Sequence, residues 1–334
     1  MNGRSLRELA KVDLHVHLEG SVRPGTLRDL AAKHGCAVPP GLQGEAWAFA
    51  DFDDFIHNYM AAYACLQDAE DFRRVAYEFC EDEAAEGARY AEVTFTLGGH
   101  AVLADDWDMP VVTVLEGFAE GERDFGIRCR LVLDCVHGFP LELAQSTLAA
   151  ALRHRDDGVV ALGLGGDENQ PVDELGPVFA TAVAGGLHSV PHAGESGGPE
   201  NVRRAVDLLS AERIGHGIRV LEDTELVAEL RERGIALEVC PTSNVATGVV
   251  AALADHPFLR LRDAGLAVTL NSDDPGMFAS PLNGEYEVAR AVFGLGDDAI
   301  AHVAKAGVAA SFLDDADKAT LVAEVDAWLE NSPQ

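Results

Sequence analysis

The chain is 334 residues long, 48% hydrophobic and 24% charged, too apolar for a disordered polypeptide and too evenly mixed for a membrane one. Its 25 Lys and Arg against 56 Asp and Glu leave a net charge of −31, which repels a phosphate backbone and argues against a nucleic-acid partner; the plainer consequence is solubility. No apolar run approaches a bilayer span, and the opening residues carry no apolar signal-peptide segment. The six cysteines include no Cys-x-x-Cys pair and read as reduced core residues, so the expectation is a cytoplasmic protein with no membrane partner.

Short β-branched or apolar runs alternate with longer helical patterns. The expected strands are Val12–His17, Tyr90–Phe95, Ile127–Val136, Val159–Leu164, Leu187–His192, Arg213–Gly215, Ala236–Cys240 and Ala267–Asn271. Between them the periodicity predicts helices including Phe72–Ala88, Pro110–Phe125, Leu141–His154, Asn201–Leu209, Glu222–Arg233 and His256–Ala264. This alternation implies parallel strands with helical crossovers, and eight strands suit a single-domain TIM (β/α)8 barrel over residues 1–334. An open doubly wound sheet is the other arrangement the pattern allows. Roughly seventy residues separate the first two strands, where one βα unit needs about thirty. The excess is an insert at about 20–88. Within it Phe49, Phe52 and Phe55 recur every three residues, a helical stripe that reads as core packing or as an apolar lid over a barrel mouth.

Polar clusters follow the strands rather than precede them. His15 and His17 share one face of the first strand, a metal pair or mere packing when taken alone. His192-Ala193-Gly194-Glu195 ends the fifth strand, Gly215-His216-Gly217 the sixth, and Asn271-Ser272-Asp273-Asp274-Pro275 the eighth. Singly, His192 and His216 read as core histidines and the Asp-Asp-Pro as a turn. In a barrel all these positions converge on one mouth, where catalytic groups gather. Three histidines and a carboxylate suit a catalytic Zn²⁺ better than a structural one, which usually shows closely spaced thiolates. If the chain is still extended at Asp273 and Asp274, one faces a metal and the other a substrate. Glu195 becomes a general acid if burial raises its pKa. Gly165-Gly166 reads equally as a turn or as a place of close backbone approach.

The segments Lys11–Arg23, Gly166–Glu168, HAGE at 192–195, GHG at 215–217, CPTSN at 240–244 and NSDDP at 271–275 occur in an order and over a span that resemble the adenosine deaminase family of metal-dependent amidohydrolases. The resemblance implies one zinc per chain held by His15, His17, His192 and Asp273. It also implies Glu195 as proton donor to a purine ring, His216 as orienting base, and Asp274 and the Gly166 backbone as base-binding groups. The reaction it implies is hydrolytic deamination of a 6-aminopurine nucleoside to the 6-oxo purine, with a small purine nucleoside as partner. At position 19 the adenosine-specific branch usually has Asp, resembling a contact to the ribose 5′-hydroxyl; here it is Glu19, which together with His17 completes the implied substrate contacts. That change is shared with relatives acting on adenine or 6-aminodeoxyfutalosine, so both remain alternatives. Thr94–His100 lacks the Asp-Pro-Gln pattern of the adenine branch. A binuclear hydrolase of the wider superfamily is a further alternative, disfavoured because no lysine stands at the end of the fourth strand.

Overall fold

The computed structural model describes residues 4–50 and 52–331. Eight strands follow one another around a single sheet: β1 (Lys11–His17), β2 (Ala88–Phe95), β3 (Arg128–Val136), β4 (Val159–Gly165), β5 (His188–Ala193), β6 (Arg213–His216), β7 (Ala236–Val239) and β8 (Val268–Leu270). Each consecutive pair is parallel. Helices cover the outside, so the strands are buried on both faces and read in the sequence as near-continuous apolar runs. The seam between β8 and β1 closes just beyond the end of β8. There Leu14 N–H donates to Asn271 Oδ1 (3.0 Å), Asp273 N–H to the His15 carbonyl (2.9 Å), and His17 N–H to the Asp273 carbonyl (2.8 Å). The sheet is therefore the expected TIM (β/α)8 barrel rather than an open one.

The helix expected at Phe72–Ala88 runs instead over Ala69–Ala85. Asp68 starts it early by accepting hydrogen bonds from the Glu70 and Asp71 amides, while the Asp71 carboxylate answers the Asp68 amide at 3.1 Å. At its far end Gly87, at φ +89°, turns the chain into β2. The insert after β1 contains this helix together with Pro24–His34, Phe52–Tyr63 and a two-residue ladder of Leu42–Gln43 against Ala46–Trp47. The aromatic stripe is not one helical face, because Phe49 precedes the helix that carries Phe52 and Phe55. The rings still cluster: Phe55 lies 5.5 Å from Phe49 and 4.7 Å from Phe278, which belongs to the short helix Pro275–Phe278 after β8. The insert thus packs against chain that leaves the C-terminal end of the barrel.

Inside the barrel, Val132, Ala161 and Val190 form an apolar plug with Phe312. The Arg213 guanidinium stacks over Phe312 at 3.9 Å and bonds to Glu92 and Glu238. This layer is the floor on which the site stands. No described helix is long and apolar enough to cross a membrane.

Candidate metal and catalytic site

The site is built where β1, β5, β6 and β8 end. Alternation along β1 turns both His15 and His17 inward, with ring centroids 5.5 Å apart. The His15 ring enters the space that a side chain at residue 215 would fill: a Cβ on Gly215 would lie 2.7 Å from the His15 ring. His192 arrives from β5 with its Nε2 3.2 Å from His17 Nε2. Asp273 stands 3.6 Å from His15 Nε2 and 3.5 Å from His17 Nε2. His15, His17 and His192 thus bring ring nitrogens within ligating distance of one another, and Asp273 stands beside the first two.

Asp273 reaches that point by a route the sequence does not show. Its backbone is not extended but left-handed, at φ +65°, beyond the last residue of β8. That conformation, rather than strand alternation, separates it from Asp274. The Asp274 carboxylate fills the space above Gly20, where a Cβ would lie 1.7 Å from its Oδ1, so residue 20 has to be glycine. Pro275 then opens a short helix rather than merely ending a strand.

The electrostatics favour a cation. Burial works to lower the His15 pKa, but the Asp273 and Glu238 carboxylates beside it outweigh that and hold the group up at about 10. Burial alone would raise Asp273; His15 and the neighbouring His216 and His17 instead keep it well below the ordinary carboxylate range. His17 and His192 are pushed down, chiefly by burial, and so are neutral imidazoles with lone pairs to offer. His15 Nε2 is buried without a hydrogen-bond partner. Its other nitrogen, Nδ1, bonds to Glu238 at 3.0 Å, which fixes the ring as carboxylates behind metal-binding histidines do. Three imidazoles and a carboxylate converging on an unsatisfied nitrogen fit a divalent metal. A second grouping at ligating distances joins His15, His216, Cys240 and Asp273. The Cys240 thiol is already engaged with the Glu238 carbonyl at 3.7 Å.

Glu195 and His216 lie alongside, with Glu195 Oε2 3.7 Å and Asp273 Oδ2 3.8 Å from His216 Nε2. Burial, then the charges of Asp273 and Glu168, push the Glu195 carboxyl up to about 8, so it carries a proton at neutrality. Burial lowers His216 to about 3, leaving a neutral ring. Asn244 ties the pair together: its amide nitrogen is 3.2 Å from His216 Nδ1 and 3.3 Å from Glu195 Oε1, while its oxygen meets His256 Nε2 at 3.1 Å. With that amide donating to Nδ1, the ring hydrogen of His216 sits on Nε2 and faces the site. The loop bearing Glu195 is clamped from below by Glu168, whose carboxylate accepts from the amides of Gly194 (2.6 Å), Glu195 (2.9 Å) and Ser196 (3.0 Å).

Gly166, at φ +96°, makes the turn leading to Glu168, and a Cβ there would meet Val136 and His137. Glu19 is buried beside the mouth. Its Oε1 accepts from the Thr96 amide (2.9 Å) and contacts His100 Nε2 (3.3 Å), while its Oε2 meets the Tyr59 hydroxyl at 3.4 Å. His100 is itself stacked on Tyr63, with centroids 3.6 Å apart.

Reading the residues in isolation misses Glu238, Glu168, Asn244 and Asp134. Glu238 and Asp134 had a signal, a single charge inside an apolar strand; Asn244 lies in the CPTSN segment with no partner visible until the chain folds.

Comparison with known proteins gives a consistent result. A profile of the adenosine deaminase family matches residues 10–328. An aminodeoxyfutalosine deaminase of Streptomyces coelicolor is 42% identical over 331 residues, 96% of this chain and 86% of that one. The crystal structure of an adenine deaminase from Arthrobacter aurescens matches with a TM-score of 0.90 at 31% identity, covering 96% of this chain and 99% of that chain. An amidohydrolase from Burkholderia ambifaria with bound Zn matches with a TM-score of 0.87 at 28% identity, over 97% of this chain and 93% of the other. The chain belongs to the adenosine deaminase family and is a hydrolytic aminohydrolase.

Proposed function

We propose that the barrel mouth hydrolytically deaminates a 6-aminopurine nucleoside, with one zinc per chain held by His15, His17, His192 and Asp273. The observation that carries this reading is the unpartnered His15 Nε2 at the meeting point of two neutral imidazoles and a carboxylate, next to a protonated Glu195. A zinc bound there supplies the Lewis acidity that makes water a nucleophile at neutral pH.

The chain's own residues do the rest. Neutral His216, steadied by Asn244, orients the attacking water between Glu195 and the second oxygen of Asp273. Asp273, with His216 beside it, takes up the proton the water gives up. Attack at C6 sends electron density to N1, and the Glu195 proton neutralises it there. The proton held by Asp273 passes to the amino group, which leaves as ammonia, while the new hydroxyl gives its proton back to Glu195 and the 6-oxo purine remains. Asp274, whose Oδ1 has no partner, accepts from purine N7 when that nitrogen carries a proton, and the Gly166 amide donates to N3. Glu19, beside His17, borders the sugar. The Phe49, Phe55 and Phe278 cluster covers the site and excludes water. The enzyme works in the cytoplasm on a small molecule.

The relative named aminodeoxyfutalosine deaminase favours 6-aminodeoxyfutalosine as the second substrate reading. Ammonia release from adenosine, 2′-deoxyadenosine, adenine, N6-methyladenosine and 6-aminodeoxyfutalosine by zinc-loaded protein tests both. Turnover of a nucleoside in preference to adenine is expected; turnover of adenine alone would overturn the nucleoside assignment.

A further inference from the structure

Among the buried acids that the mechanism leaves unused, Asp134 is the one turned into the barrel above its apolar plug. Asp134 lies on β3 two residues beyond Val132, and alternation turns both side chains into the barrel, Val132 into the apolar plug and Asp134 into the space above it. The residue is 4% exposed, and its Oδ1 has no hydrogen-bond partner. A buried carboxyl oxygen without a partner costs stability unless something binds it. Room has been left for this side chain, because a Cβ on Gly165 would come within 3.1 Å of Asp134 Oδ2.

The surroundings indicate what binds. Thr96 links Asp134 to Glu19, its amide donating to Glu19 Oε1 at 2.9 Å while it lines one cavity with Asp134, and the charges of both acids act on the Tyr59 and Tyr63 hydroxyls. No lysine or arginine pairs with either acid among the described residues; the ionisable contacts are those of His100 and Tyr59 with Glu19. The vacant acceptor is therefore on Asp134, since Glu19 Oε1 is committed to the Thr96 amide and His100 and its Oε2 faces Tyr59. Burial, reinforced by Glu19, pushes the Asp134 carboxyl up to about 8, against the pull of the Thr96 side chain. The Asp134 carboxyl thus offers a hydroxyl an open acceptor and, when protonated, a donor. A sugar hydroxyl matches this, being itself donor and acceptor and carrying no charge.

We propose that Asp134 is a specificity-determining residue that recognises a ribose hydroxyl, through which the enzyme distinguishes nucleosides from free adenine. The proposal rests on the reading of the mouth as a 6-aminopurine deaminase site. Sites built to hydrogen-bond a hydroxyl reject analogues lacking it, because the protein group is then left buried and unpaired.

The test compares kcat/KM for adenosine, 6-aminodeoxyfutalosine, 2′-deoxyadenosine, 3′-deoxyadenosine and adenine in the wild type, Asp134→Ala and Asp134→Asn, all zinc-loaded, with melting temperature and zinc content measured alongside. In the wild type, removing one of the two hydroxyls should lower kcat/KM about tenfold or more. In Asp134→Ala that gap should close to within about threefold, while the rate on adenine stays near the wild-type value. Because the comparison is a ratio within one protein, a partial loss of folded enzyme cancels. If Asp134→Ala does not fold, the same ratio in Asp134→Asn decides. An unchanged ratio in the variant, or equal wild-type use of adenine and nucleosides, overturns the role of Asp134 while leaving the deaminase reading intact. Absence of ammonia from every compound overturns the deaminase reading itself.

Discussion

The floor and the mouth of the barrel both bury charge, and they treat it in opposite ways. At the floor, each charged group has its partners. Arg213 bonds to Glu92, Glu238 and the Ala310 carbonyl, and the remaining oxygen of Glu92 accepts the Phe312 amide at 2.7 Å. At the mouth, His15 Nε2, His192 Nδ1, Asp134 Oδ1 and Asp274 Oδ1 are buried with none. Unpartnered oxygens also occur elsewhere, as on Glu83 and Glu285, but among the described residues these two belong to no group of metal-ligating side chains and lie apart from the histidine cluster. Closed polar networks make a scaffold, while donors and acceptors held open against a desolvation cost mark where ligands bind. Glu238 belongs to both regions, one oxygen on Arg213 and the other on His15.

That contrast can be broken most severely at Glu195. Glu195→Gln should lower kcat by about 10²–10⁴-fold, the range for losing a positioned general acid, with zinc content unchanged. Near-normal turnover would remove the acid role. At the floor the expected loss is of stability rather than catalysis. Arg213→Ala leaves two carboxylates buried together and should cost about 3–5 kcal/mol, read by urea unfolding. A cost below about 1 kcal/mol would show that the floor is not the closed network described.

Glu238→Gln probes the link between the regions. It should weaken zinc binding by about 10–100-fold in chelator competition while the protein stays folded. Unchanged affinity would detach the floor from the mouth. The smallest effect is expected from pH. Glu195 acts as an acid only while protonated, so kcat/KM should be sustained below about pH 8 and fall as pH rises through that value. Glu168→Gln removes one of the charges that raise this pKa, so the alkaline limb should move to lower pH by up to about one unit. A limb that stays in place would exclude Glu168 as a source of the shift.

Much of this was legible in the sequence, for reasons specific to each residue. His15 and His17 follow from strand alternation, and His192, Glu195 and His216 from their positions after apolar runs that had to be strands. Eight such runs sufficed for the barrel. The mouth is less legible where the chain leaves regular structure. The left-handed backbone at Asp273 follows from seam hydrogen bonds to His15 and His17, residues more than 250 positions away. The clamp of Glu168 on the Glu195 loop joins two turns whose separation the sequence does not constrain. Inward acids such as Glu92, Asp134 and Glu238 sit in strands buried on both faces, where no polar-apolar alternation tells inside from outside.

The most direct test of the account is the metal content of chelator-treated protein after reloading with zinc and removal of free ion. The account predicts one zinc per chain in the wild type and a marked loss in both His15→Ala and His192→Ala, with each variant still folded. Less than stoichiometric zinc in the wild type, or full occupancy in both variants, would contradict it.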